Sequence, residues 1–320
     1  MRVAAVVHPT TLLGKELRER LETRADLCTE LRLLSDDEEE VGQVTEAAGA
    51  AAFVSRLDDD SLDGVDLFFL CGDIERDRAT LARLPRTAVA VLLSHGATVD
   101  DAPAAVGGVG AESLAGQQLA LSPHPAAVAL VLMLDALAGF RPRRATATAI
   151  VPVSKFGERG IDELFEQTRG ILAFSGTPRG KLFPTQVAFN LLPSTEDSYE
   201  VERAARQALG GDVDLSVQLV QGGIFHGVAV SLRVELAEPA TPADVRKRLG
   251  AARAISLARD PRKVGPVAAA GEESLLVGEV RAAGEPGAFW VWATMDNLVR
   301  GGALNALDLA EAMLAAGRPS

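Results

Sequence analysis

Short, nearly continuous apolar runs in the first third of the chain, Arg2–Val7, Val65–Cys71 and Val89–Leu93, do most to limit what it can fold into. A strand with no polar side has no face to give to water, so it needs cover on both sides, as in a parallel sheet between two layers of helices. The spacers fit that need. A turn at Thr10–Thr11 leads into Gly14–Glu22, where Leu17 and Leu21 share a helical stripe, and a further strand at Glu30–Leu34 ends in Ser35 and the acidic run Asp36–Glu40. This order predicts an α/β, Rossmann-like, doubly wound domain over residues 1–122.

The second half is written differently. Ala145–Val153, Val213–Val220, Gly227–Glu235, Leu275–Ala282 and Phe289–Met295 alternate apolar with polar residues, the pattern of a mixed or antiparallel sheet with one face covered. Helices are predicted between them at Gly160–Phe174, Val201–Leu209 and Pro242–Leu249, the last opened by Thr241-Pro242, and Ala268–Gly271 reads as a loop. Residues 123–296 form an α+β domain in this reading. A final helix, Gly301–Ala316, returns residues 297–320 to the first domain.

With 320 residues, 48% apolar, there is material for two cores. The 44 acidic and 32 basic residues leave a formal charge of -12, which argues against nucleic acid and anionic membranes as partners. Leu119–Phe140 is the longest apolar stretch, but Pro123, His124, Pro125 and Asp135 interrupt it, so no membrane span is expected. Two cysteines, Cys28 and Cys71, offer no disulfide framework and the N-terminus no signal-peptide core; a cytoplasmic protein is expected. Four scattered histidines predict no metal site.

Several stretches are more specific. Leu276–Arg281 followed by Asp296-Asn297-Leu298-Val299-Arg300-Gly301-Gly302-Ala303-Leu304-Asn305-Ala306 resembles the closing signature of the aspartate-semialdehyde dehydrogenase family. Val153-Ser154 through Gly160-Ile161-Asp162-Glu163-Leu164, and Ala188-Phe189-Asn190-Leu191-Leu192-Pro193, resemble two more of its motifs in the same order. The likeness extends to that family's Usg-like paralogues, whose active sites also depart from the enzymes. It implies a Rossmann-like NAD(P)-binding domain plus a dimerisation domain, and a homodimer.

The family's enzymes work through a cysteine thioester at a helix start, a histidine acid/base and a nicotinamide cofactor. By the resemblance, Pro125 stands at the cysteine, Val228 at the histidine, Gln221 at the arginine that grips the substrate carboxylate and Val151 at the substrate glutamine. Proline has no nucleophile. His124 and His226 are the fallback candidates: His124 either as a substitute nucleophile or as a cap between two prolines, His226 as the base if the frame shifts by two residues off Gly227.

The phosphate-binding Gly-x-x-Gly-x-x-Gly loop corresponds to His8-Pro9-Thr10-Thr11-Leu12-Leu13-Gly14, in which Gly14 alone is retained and His8 and Thr11 bring side chains toward the phosphates. Ser35, Asp36 and Asn297 complete the candidate cofactor residues. Carboxylates at Asp36–Glu40 would repel the 2'-phosphate of NADP, although one acidic residue there can bind the ribose of NAD. The expectation is therefore a dimeric pseudoenzyme that binds a ligand or a protein partner and holds no cofactor. The alternative is a divergent semialdehyde dehydrogenase of amino-acid biosynthesis using NADP or NAD, or a new activity in the same cleft.

Overall fold

The computed structural model describes residues 2–47, 50–110, 114, 116–176 and 180–315. They form two compact units, 1–123 with 302–320, and 124–301.

The first unit opens with β1 (Val3–Val7), α1 (Leu12–Leu21), β2 (Glu30–Ser35), β3 (Val44–Ala47), β4 (Ala50–Arg56), α2 (Asp59–Leu62), β5 (Leu67–Leu70), α3 (Ile74–Leu81), β6 (Val89–Leu92) and β7 (Leu119–Leu121). The sheet order is β3-β4-β2-β1-β5-β6-β7, parallel throughout except for the antiparallel pair β3–β4. Every residue of β1, β5 and β6 is buried, which is the two-sided cover that their unbroken apolar character requires. The β3–β4 hairpin is not among the predicted strands. Val44 and Phe53 pair across it while 63% and 64% exposed, so no buried run marks it in the sequence.

The second unit begins with α4 (Pro125–Ala136) and continues through β8 (Pro142–Val151), α5 (Gly157–Leu172), β9 (Leu191–Pro193), α6 (Ser198–Leu209), β10 (Asp214–Gly222), β11 (Val228–Leu236), α7 (Pro242–Gly250), β12 (Ile255–Leu257), α8 (Pro266–Ala269), β13 (Leu275–Ala282) and β14 (Ala288–Met295). Its sheet runs β12-β13-β14-β11-β8-β10-β9 and is antiparallel apart from β8–β10 and β12–β13. On β10, exposed Asp214, Ser216 and Gln218 alternate with buried Leu215, Val217 and Leu219, so one face is covered. The cover includes α4, buried at every position from Ala126 to Leu134, which accounts for the long apolar stretch as a core helix. At roughly 1.5–3 kcal/mol for each large apolar side chain taken from water, α4 is a major contributor to this core. Among the described residues, no helix is long and apolar enough to cross a membrane.

A smaller core of Val153, Leu164, Phe183, Val187 and Ala188 lies beside α5. The side chains of that helix pin the segment after it. Glu163 accepts from the backbone N–H groups of Lys181, Leu182 and Phe183, and buried Gln167 accepts from those of Val187 and Ala188. Of the predicted loop Ala268–Gly271, the first two residues instead close a helical turn, α8, started by Pro266 at its first position.

The last helix, α9 (Leu304–Ala315), follows a π-helical turn at Val299–Ala303, and its Leu307, Leu309, Ala310 and Met313 join the first unit's core with Val6, Leu67 and Val91. Ala316, the predicted last residue of this helix, lies outside the described residues.

Candidate functional site

In the second unit, the residues singled out in the sequence lie at the start of α4, at the ends of β8 and β10, and at or just before the start of β11. His124 is the N-cap of α4: its Nδ1 accepts the Ala126 N–H at 3.0 Å, while the N–H groups of Ala127 and Val128 reach the His124 carbonyl at 2.8 and 3.1 Å. Pro125, at the first helical position, has no N–H. The first-turn donors that a helix normally offers to an anion are thus occupied or missing. Because Nδ1 accepts, the neutral ring carries its proton on Nε2, which faces Glu196 Oε2 at 3.3 Å. Glu196 Oε1 also pairs with Lys155 Nζ at 3.4 Å.

Pro125 lies against Gly301. A Cβ added at Gly301 would fall 2.9 Å from Pro125 Cβ and 3.0 Å from Met295 Cε, so the glycine is a notch that lets both side chains close in. Met295 pairs with Val228 across β14 and β11, and Val228 is completely buried. One strand pair away, Gln221 and Val151 are register partners on β10 and β8. Buried Gln221 donates through Nε2 to the Val151 carbonyl at 3.1 Å and to its neighbour Gly222 at 2.9 Å, leaving its Oε1 without a partner. Its amide therefore braces the ends of two strands and carries no charge.

His226 is half-buried in the turn before β11. The next residue, Gly227, is a fixed point. At φ +88° it holds a left-handed conformation against Pro266, and its N–H donates to Asn297 Oδ1 at 2.7 Å. Asn297, weighed as a cofactor residue, is buried and also donates to Ser154 Oγ at 3.1 Å. Asp296 completes the clamp by accepting from the N–H groups of Leu298, Val299 and Gly271. The signature Asp296-Asn297 thus does structural work at a chain crossing.

The first unit carries the other candidates. His8 follows β1 in a left-handed conformation, φ +58°, with only 3% of its surface exposed. Its ring packs on Gly72, where an added Cβ would fall 2.9 Å from His8 Nε2. Nε2 stands 3.5 Å from Asp77 Oδ1 and from Asp36 Oδ1, and Nδ1 stands 3.5 Å from Ser35 Oγ. These separations are within ion-pair reach but too long for good hydrogen bonds, and both His8 Nε2 and Asp77 Oδ1 lack one. Asp77, fully buried, accepts from the Gly72 N–H at 3.0 Å and from the Ser94 hydroxyl. Burial pushes its carboxyl above the usual carboxylate range, against the opposing pull of Ser94, His8 and the Gly72 N–H.

Thr11 caps α1, accepting the Gly14 N–H at 3.0 Å and donating to the His8 carbonyl at 3.1 Å. Gly14 lies where a Cβ would fall 2.6 Å from that carbonyl, so it is needed for packing of the helix start on the loop. Ser35 is buried and accepts from Asp37 N–H. The acidic run is anchored: Asp36 to Arg76, Glu38 to Arg56 and Glu40 to Thr10. Burial drives the Cys71 thiol strongly upward, with Asp77 adding to it, so it behaves as core. Among the described residues no cluster of His, Cys, Asp and Glu has the arrangement to hold a metal ion.

Asp77, Glu196 and Lys155 escape the sequence reading. For Asp77 a signal exists: Ile74, Asp77 and Thr80 share one buried stripe of α3, and a carboxylate on an inward stripe calls for a partner. Glu196 and Lys155 meet His124 from distant segments, with no local pattern to mark them.

Residues 134–300 match the semialdehyde dehydrogenase dimerisation domain. The chain is also 33% identical to a USG-1 protein homolog of Pseudomonas aeruginosa over 97% of each chain. The chain belongs to the aspartate-semialdehyde dehydrogenase family. Within it, a USG-1 protein homolog of Azotobacter vinelandii is 31% identical over 98% of both chains, and the aspartate-semialdehyde dehydrogenase of Rickettsia bellii 26% identical over 82% of each. The solved structure of a probable aspartate-semialdehyde dehydrogenase from Pseudomonas aeruginosa superposes with a TM-score of 0.89 at 29% identity, covering 98% of both chains. Family membership and the two-domain fold agree with the sequence expectation.

Proposed function

We propose that this chain is a non-catalytic member of the aspartate-semialdehyde dehydrogenase family, a homodimer that acts by binding a ligand or a protein partner. The start of α4 carries the reading. A thioester needs a side-chain nucleophile, and Pro125 supplies neither that nor an N–H, while His124 occupies the Ala126 N–H that would stabilise a thiolate or an oxyanion. Val228 has no proton to transfer. Gln221 is neutral, with its N–H groups directed at two carbonyls, so it makes no charged fork for a carboxylate. The acidic run after β2 disfavours the 2'-phosphate of NADP.

The homodimer rests on the dimerisation-domain match and on the exposed side of the second sheet. Thr148, Ser231 and Trp292 form one row across β8, β11 and β14, and Thr146, Arg233 and Trp290 the next. These residues are only partly covered in a single chain, and two tryptophans in such rows suit burial by a second copy. Sedimentation of the purified protein is expected to give a species of twice the chain mass.

The activity test supplies aspartate semialdehyde, phosphate and NADP+ to the purified protein. The expected result is no NADPH above a blank and no growth rescue of a bacterium lacking its aspartate-semialdehyde dehydrogenase. Substrate-dependent NADPH formation that is lost on substitution of His124 or His226 would overturn the reading in favour of a divergent NADP-dependent dehydrogenase.

A further inference from the structure

In the first unit the chain leaves β1 for β2 on one side and later reaches β5 on the other, so the carboxyl ends of β1 and β5 flank the point where the strand order reverses. In open α/β sheets that crevice is where ligands bind, with phosphates set against glycine-rich backbone. His8 follows β1, Gly72 follows β5, and the imidazole of one rests on the bare backbone of the other. The buried ring stands beside Asp77 of α3, Asp36 just past β2 and Ser35; Arg76 pairs with that Asp36 and Ser94 donates to that Asp77. Asp37 and Glu40 add negative charge at the same rim, with Arg76 paired to Asp36 and Asp37.

Three features mark this as an occupied seat. The His8 backbone is left-handed, a conformation glycine adopts freely and histidine rarely. The ring fills the space over Gly72 that a side chain there would need. The polar atoms that hold it are poorly satisfied, since neither His8 Nε2 nor Asp77 Oδ1 makes a hydrogen bond although both are buried. Removing the imidazole therefore breaks few good bonds.

We propose that His8 is an in-built plug: its side chain fills the phosphate seat of the first unit, and without it the crevice takes a dinucleotide that lacks a 2'-phosphate. The selectivity follows from the rim, where Asp36, Asp37 and Glu40 outnumber Arg76. The proposal extends the non-catalytic reading, but its readout is equilibrium binding, so turnover and plugging fail separately.

The experiment titrates full-length wild type and H8G with NAD+ and with NADP+ by calorimetry and thermal shift, after circular dichroism has shown both to be folded. H8G is expected to bind NAD+ at least about tenfold more tightly than wild type does, with NADP+ at least about tenfold weaker than NAD+. Wild type binding NAD+ as tightly as H8G overturns the plug, and so does a folded H8G that binds no better than wild type. NADP+ binding to H8G as tightly as NAD+ overturns the assigned selectivity. If H8G does not fold, H8N takes its place, because asparagine tolerates the left-handed backbone and is smaller than imidazole. A folded H8N that binds NAD+ no better than wild type likewise overturns the proposal.

Discussion

Two histidines stand at the entrances to two helices, and they close them by different means. His124 uses hydrogen bonds: its Nδ1 takes the Ala126 N–H, and Pro125 has no N–H to offer. His8 uses volume. Its ring lies over Gly72 beside a buried carboxylate, while Thr11 caps the following helix. A closure made of hydrogen bonds depends on the particular atom that accepts, and can be transferred to any short side chain with an acceptor in the right place. One made of volume depends on the shape of the surface beneath it and is sensitive to a single methyl group.

That contrast can be broken by substitution. The largest effect is expected from Gly72→Ala. No unusual φ is required of Gly72, so the cost comes from the clash with the His8 ring, about 2 kcal/mol by the usual penalty for overpacking. Thermal or urea unfolding of G72A, H8G and the double variant should show most of that cost disappearing when the ring is absent, a coupling above about 1 kcal/mol. Additive losses would mean that the ring is not seated on Gly72.

His124→Ala should cost about 1 kcal/mol through loss of the cap, and His124→Asn should restore most of it. Equal destabilisation by both would point to packing in place of hydrogen bonding. A subtler probe is Pro125→Cys. With the Ala126 N–H already held by His124, the new thiol should titrate near its ordinary value of about 8.5, and adding His124→Ala should lower it as that donor is released. Rates of thiol alkylation against pH would check both, and a thiol already depressed in the single variant would show that the helix start is open.

The smallest effect concerns pH. Because burial raises the Asp77 carboxyl above its ordinary value, the folded protein keeps a proton there that the unfolded chain releases. Its contribution to stability is present at acid pH and is lost as pH rises through the folded-state value. Asp77→Asn cannot ionise, so its unfolding free energy should fall less than that of wild type over that range, as measured by denaturant midpoints.

Much of this was legible in the sequence, for reasons of range. The buried strands β1, β5 and β6 announce themselves because every position is apolar, and the alternation of β10 and β11 because one face is covered. The loss of a nucleophile at Pro125 needs only the residue's own chemistry. The hairpin β3–β4 was not legible, since Val44 and Phe53 look out to solvent. The partners of His8 and His124 were not either. Asp77 lies 69 positions from His8, and Glu196 72 from His124, and nothing local fixes which distant carboxylate will fold against which ring. The acidic run likewise gives no local mark of its anchors: Asp36, Glu38 and Glu40 each hold a partner that the sequence does not name.

The first unit is assembled from both ends of the chain, with Leu307, Ala310 and Met313 of α9 in the same core as Val6 and Val91. On the ribosome, residues 124–301 form an unbroken stretch that can collapse as soon as it emerges. The first 123 residues are made earlier yet wait longer, with a vacancy in their core until α9 has emerged. Chaperone dependence should therefore fall on the half that is synthesised first, and shortening α9 should leave 124–301 folded while the N-terminal sheet becomes prey to proteases.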